Sequence, residues 1–177
     1  MMERTAVVTR NTKETEIQIS LNLDGSGNAD IQTGIGFFDH MLNSFARHGF
    51  FDLTVKVKGD LEVDNHHTIE DTGIVLGQAI KQAVGDKKGI VRYGSQILPM
   101  DESLVLCALD LCGRPYLVYD LDLDREKVGD LETEMVREFF YAISYAAEMN
   151  LHIRQMAGMN NHHIIEAAFK AFAKALD

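Results

Sequence analysis

The sequence predicts an α+β fold of two similar halves, each running strands, helix, strand, helix, in one domain over residues 1–177. Three observations predict it. Apolar residues alternate with period two in some segments and recur at three and four in others, so strands and helices are interleaved. The order of those segments is the same in about residues 1–88 and 89–177. Finally, Asp64-Asn65-His66-His67-Thr68-Ile69-Glu70 returns 96 positions later as Asn160-Asn161-His162-His163-Ile164-Ile165-Glu166. Sheets with helices packed across them let such halves bury their apolar faces.

Arg4 to Arg10 is rich in β-branched residues, and Glu16 to Leu21 alternates polar and apolar, as half-buried strands do. Asp24-Gly25-Ser26-Gly27-Asn28 reads as a turn. From Gly36 to His48, Phe37, Met41, Leu42 and Phe45 recur with helical spacing. Leu53 to Val57 alternates again, and a helix from about Thr68 to Val84 is ended by Gly85. In the second half, Leu104 to Leu111 and Tyr116 to Leu123 read as strands joined by a turn through Gly113-Arg114-Pro115. A helix from about Glu132 to Ala147, a short strand Leu151 to Arg154 and a last helix His163 to Leu176 complete the repeat. Gly85 to Gly89 joins the halves.

An apolar share of 46% supplies a core, and 25% charged residues a soluble surface. No apolar run approaches the roughly 18 residues of a membrane span. The start, Met1-Met2-Glu3-Arg4-Thr5, has no basic-then-apolar leader. A formal charge of −10 repels phosphate backbones, which argues against nucleic acid as a partner. Cys107 and Cys112 are expected to be buried free thiols, because their odd spacing along a strand points them to opposite faces. Free thiols suit a cytoplasmic location.

The chemistry lies in His-His-x-x-Glu, present twice. On a helix, residues three and four apart share a face, so His66, His67 and Glu70 gather, as do His162, His163 and Glu166. Adjacent histidines diverge by about 100° around that helix, so one pair can serve two metals. Imidazole with carboxylate suits Mn, Fe or Zn, whereas Ca prefers oxygen alone. One His-His pair is more often a surface feature. Two copies, each after an Asp/Asn-Asn turn and holding four of the seven histidines, point to metal. His40 sits on the first helix of its half, and Glu138 is its counterpart in the second. A histidine satisfied by neighbouring Asp39 is the plain alternative for His40.

Gly34-Ile35-Gly36-Phe37-Phe38-Asp39-His40-Met41-Leu42, Asp64-Asn65-His66-His67, Gly113-Arg114-Pro115-Tyr116 and the run Asn161 to Phe172 resemble the imidazoleglycerol-phosphate dehydratases. The resemblance covers nearly the whole chain, from Arg10 to Leu176. It implies a ribosomal protein S5 domain 2-like fold, two Mn2+ per active site and a phosphorylated imidazole diol as substrate. It also implies a homo-oligomer of twenty-four subunits with cubic symmetry and sites at subunit interfaces. Carried over by residue, the metal ligands are His40, His66, His67, Glu70, His162, His163 and Glu166. Glu138 stands where many members have histidine. Glu14 matches the acid/base glutamate, which otherwise reads as a solvent-facing carboxylate. Arg92, Arg114 and Lys170 match residues holding the substrate phosphate, and His48 assists there. Asp101 and Glu102 match a motif whose role is open. Members usually continue into a Ser-x-Lys-Gly-type phosphate-binding tail, whereas this sequence ends at Asp177.

The implied reaction is dehydration of D-erythro-imidazole glycerol phosphate to imidazole-acetol phosphate in histidine biosynthesis, through a metal-bound imidazolate. One partition places His40, His67, Glu70 and His162 on one ion and His66, Glu138, His163 and Glu166 on the other. A di-metal hydrolase is the alternative enzyme; a metal-storage or structural assembly has no need of Arg92, Arg114 and Lys170 converging on one cleft.

Overall fold

The computed structural model describes residues 4–177. Met1 to Glu3, and with them most of the segment scanned for a leader, lie outside the described residues. The first half contains β1 (Thr5–Asn11), β2 (Thr15–Asn22), β3 (Ala29–Gln32), α1 (Gly36–His48), β4 (Asp52–Gly59) and α2 (His66–Val84). The second contains β5 (Tyr93–Met100), β6 (Ser103–Asp110), β7 (Tyr116–Asp120), a small β8 (Lys127–Val128) and β9 (Leu131–Glu132) hairpin, α3 (Glu134–Ala146), β10 (Asn150–Ala157) and α4 (Asn161–Leu176). No helix among the described residues is long and apolar enough to cross a membrane.

The two sheets have the same wiring. One has the order β1-β2-β4-β3 and the other β5-β6-β10-β7. β2 and β6 are both eight residues long, and α1 and α3 are both thirteen. In β2, Thr15, Ile17, Ile19 and Leu21 face inward; in β6, Ser103, Val105, Cys107 and Leu109 do. This period of two gives each sheet one apolar face to cover. α2 covers the first sheet and α4 the second, while α1 packs on α4 and α3 on α2. The halves therefore share one core. Phe38 of α1 meets Phe139 of α3 at 5.3 Å, and Phe139 stacks on Phe169 of α4 at 5.1 Å. Such aromatic pairs each add about 0.5–1.5 kcal/mol beyond area burial.

The structure bears out some of these expectations and corrects others. The segments linked through Gly113-Arg114-Pro115 are both strands, β6 and β7, as expected, and β10 lies between them, antiparallel to β6 and parallel to β7. β3 and β5 are additional strands, each at a sheet edge. Cys112 lies beyond the end of β6 and is only half-buried, so the opposite-face argument does not reach it. Both cysteines are free, and burial pushes the Cys107 thiol up.

Candidate active site

The repeated turn explains how the histidines are presented. Asp64 Oδ1 accepts from the N–H of His66 at 2.8 Å, and Asn160 Oδ1 accepts from the N–H of His162 at 3.0 Å. In both turns a short polar side chain satisfies a free helix-end donor two residues on. α2 thus begins at His66 and α4 one residue ahead of His162, and His66, His67, His162 and His163 project from the first turns of α2 and α4.

His40, His162 and Glu166 bring three candidate ligand atoms within 4.8 Å of one another, so within the chain Glu166 groups with His40 and His162 and not, as the expected partition had it, with His66, Glu138 and His163. Nε2 of His162 is 3.1 Å from Oε2 of Glu166, and Nε2 of His40 is 3.7 Å from the same oxygen. The trio joins both halves, because α1 packs on α4. Asp39 does not satisfy His40; its Oδ1 accepts from the N–H and hydroxyl of Thr33 at 2.9 and 2.5 Å. Phe37 sets its ring edge against His162 at 5.0 Å. Glu166 is 8% exposed while His40 is 52% exposed, so the trio opens to solvent from a buried carboxylate. Lys170, one turn along α4, holds the other oxygen of Glu166 at 2.6 Å. Burial raises the Glu166 carboxyl, but Lys170 and the histidines outweigh it and the net shift is down.

The remaining predicted ligands stand apart from this trio. His66 Nε2 lies 3.5 Å from Glu70 Oε2 at the start of α2. His67 Nδ1 is 2.9 Å from Asp60, which raises its pKa, with Glu14 adding a smaller push in the same direction. His163 Nδ1 is 2.7 Å from Glu102, and its pKa rises for the same reason. That contact and the N–H of Asn160 hold Glu102 down at about 2. Glu138 and His40 are each the fifth residue of a thirteen-residue helix, so the repeat does relate them. In this chain Glu138 pairs with Arg137 at 3.0 Å.

The cations are spread out. Arg92, just before β5, is fastened to Asp110 at 2.6 and 3.0 Å, which raises its pKa. Exposed Arg114 follows β6, on the same side as Arg92, whose carbonyl accepts from the N–H of Leu111 at 3.1 Å. Lys170 reaches Met100 Sδ at 3.7 Å, at the far end of β5. Eight strand residues at about 3.3 Å each separate those places, so a single chain does not bring the three cations to one cleft. His48, half-buried at the end of α1, is pushed down first by burial and then by the charge of Lys170.

A model of the imidazoleglycerol-phosphate dehydratase family matches residues 33–176. The chain belongs to that family. The dehydratase of Lachnoclostridium phytofermentans is 72% identical over 176 residues, covering 99% of this chain and 90% of the relative. That of Acetivibrio thermocellus is 64% identical over 176 residues with the same coverage, 99% and 90%. The crystal structure of the Staphylococcus aureus dehydratase superposes with a TM-score of 0.88 at 42% identity, covering 97% of this chain and 95% of that one. A hydrolase built on these ligands is not favoured by any of these matches.

Sequence reasoning missed two carboxylates that shape this dehydratase-type site. Asp60 bears on His67, and its only signal was a carboxylate six residues ahead of the histidine pair. Asp130, in the β8–β9 turn, accepts from the N–H groups of Gly36 and Phe37 at 2.6 and 2.9 Å. Its carbonyl also accepts from Asn65 Nδ2 at 2.6 Å. Asp130 therefore ties the start of α1 to the start of α2, and nothing in its local sequence marks that.

Proposed function

We propose that this chain is a hydro-lyase of histidine biosynthesis that dehydrates imidazoleglycerol phosphate, with two Mn2+ per site. The observation that carries the metal reading is the His40, His162 and Glu166 trio, drawn from both halves. Two imidazoles and a carboxylate at that spacing fit a divalent first-row ion such as manganese. His66, His67, Glu70, His163 and, by its place in the repeat, Glu138 complete the donor set. A divalent cation held by these residues would stabilise negative charge on a ring nitrogen of the substrate.

The chain's own groups supply the rest. Glu14 is exposed at the β1–β2 turn and takes the proton from the side-chain carbon next to the one that loses hydroxide. Such proton transfer contributes about 10²–10⁴-fold. Arg92 uses Nε and one terminal nitrogen on Asp110, which leaves its other edge to a phosphate oxygen. Arg114 and Lys170, with His48, offer the remaining phosphate contacts.

One chain holds these parts in separate places, and the candidate histidines His40, His66, His67 and His162 are all between 43% and 52% exposed. This supports sites completed between copies, and we extend the reading to an assembly of twenty-four subunits working in the cytoplasm. Incubation of the purified chain with substrate and Mn2+ tests the activity. The expected result is one keto product per substrate, no released orthophosphate, and loss of turnover with chelator. Release of orthophosphate without the keto product would replace the lyase reading with a hydrolase.

A further inference from the structure

Nδ1 of His67 lies 2.9 Å from Oδ2 of Asp60, and Nδ1 of His163 lies 2.7 Å from Oε2 of Glu102. Both carboxylates come from outside the histidine's own helix. Asp60 follows β4, and Glu102 sits in the two-residue turn between β5 and β6. The contacts are alike, yet the carboxylates are not related by the repeat. β2 and β6 occupy the same place in their sheets, and the residue immediately before each is a glutamate, Glu14 and Glu102. The repeat-mate of Glu102 is thus Glu14.

The two mates have diverged. Glu102 is committed: beyond His163 it accepts from the N–H of Asn160 at 2.9 Å and of Met159 at 3.3 Å. The Glu14 carboxylate has no hydrogen-bond or ion-pair partner among the described residues; only its backbone N–H is engaged, by Thr12. It lines a hollow shared with Lys58, Asp60 and Glu62.

We propose that Asp60 and Glu102 are positioning residues that hold Nδ1–H of His67 and His163 so that Nε2 is the metal donor, and that Asp60, by doing at His67 what Glu102 does at His163, leaves Glu14 free for proton transfer. This rests on His67 and His163 being metal ligands. An imidazole has one N–H to give when neutral, so a carboxylate on Nδ1 places the lone pair on Nε2 and fixes the plane of the ring. Among the described residues Nε2 of His67 has no hydrogen-bond or ion-pair partner, and Nε2 of His163 lies 3.5 Å from Oδ2 of exposed Asp101. A half in which the strand-start glutamate holds the histidine has no free base. A half in which another carboxylate takes that task has one.

The test is Mn2+ binding, followed by the electron paramagnetic resonance of the free ion, on the assembled protein. The variants are Asp60→Ala, Asp60→Asn, Glu102→Ala and Glu102→Gln. Both alanine variants should bind Mn2+ about 10–100-fold more weakly. The amide variants, which still accept an N–H through oxygen, should recover most of that loss. At saturating Mn2+ and substrate, the kcat deficit of Asp60→Ala should exceed that of Glu102→Ala by about tenfold, because Glu14 then falls onto His67. Unchanged Mn2+ affinity in the alanine variants, or equal kcat deficits, would overturn the inference. Wild-type Mn2+ binding in both His67→Ala and His163→Ala would instead remove the ligand reading beneath it.

Discussion

Lys170 takes one oxygen of Glu166 and leaves the other to the imidazoles: its Nζ is 2.6 Å from Oε1, while Oε2 is 3.1 Å from Nε2 of His162. Both partners are mostly buried, at 15% and 8% exposure, so the pair stands in little water. Lys170→Met strands the carboxylate. The metal-free protein should lose about 3 kcal/mol in urea unfolding, at the low end for a broken buried pair. Saturating Mn2+ should return most of that loss, because a cation again faces Glu166. Equal losses with and without Mn2+ would count against Glu166 as a ligand.

α2 and α3 approach closely through glycine. A Cβ on Gly77 would meet the Ile143 carbonyl oxygen and the Ala146 Cβ, both at 2.7 Å. Alanine is favoured over glycine in a helix by about 1 kcal/mol, but overpacking against backbone costs about 1–3 kcal/mol. Gly77→Ala should therefore lower the thermal midpoint. A raised midpoint would mean that the two helices are not held at this separation.

Asp52 organises the turn before β3. Its Oδ1 accepts from the N–H of Ser26 at 2.9 Å and of Asn28 at 3.0 Å, and these bonds hold the carboxyl below its ordinary 3.8. A lowered carboxyl pKa gives stability that is present above 3.8 and lost as pH falls through the folded value. Asp52→Asn removes that titration. The stability gap between wild type and variant should be present at neutral pH and shrink below about pH 3.8. A gap independent of pH in denaturant titrations would count against these bonds.

The parts legible in the sequence were those with a strong local pattern. Phe37, Met41, Leu42 and Phe45 placed α1 at Gly36–His48, as found. The repeated His-His-x-x-Glu marked both helices, each of which begins two residues ahead of the expected Thr68 and His163, and it marked the trio's His162 and Glu166. β3 was not legible because it has four residues and only Ile31 is even partly buried. β5 was not legible because Gly94 and Pro99 interrupt it and no residue in it is fully buried. The parallel pairing of β7 with β10 is set between distant segments, which no turn signal records. Asp60 and Asp130 act through tertiary contacts, so their neighbours in sequence carried no sign of their partners. The separation of Arg92 from Lys170 likewise follows from strand length, not from any motif.

The most direct test of the account is Mn2+ content and turnover measured together on Glu14→Gln and His162→Ala. Glu14→Gln keeps size and polarity but cannot exchange a proton near neutral pH. It should retain wild-type Mn2+ while kcat falls by about 10²-fold or more. His162→Ala should lose bound Mn2+ along with activity, since His162 and Glu166 share the candidate ion. Near-normal turnover in Glu14→Gln, or full Mn2+ occupancy in His162→Ala, would contradict the site described.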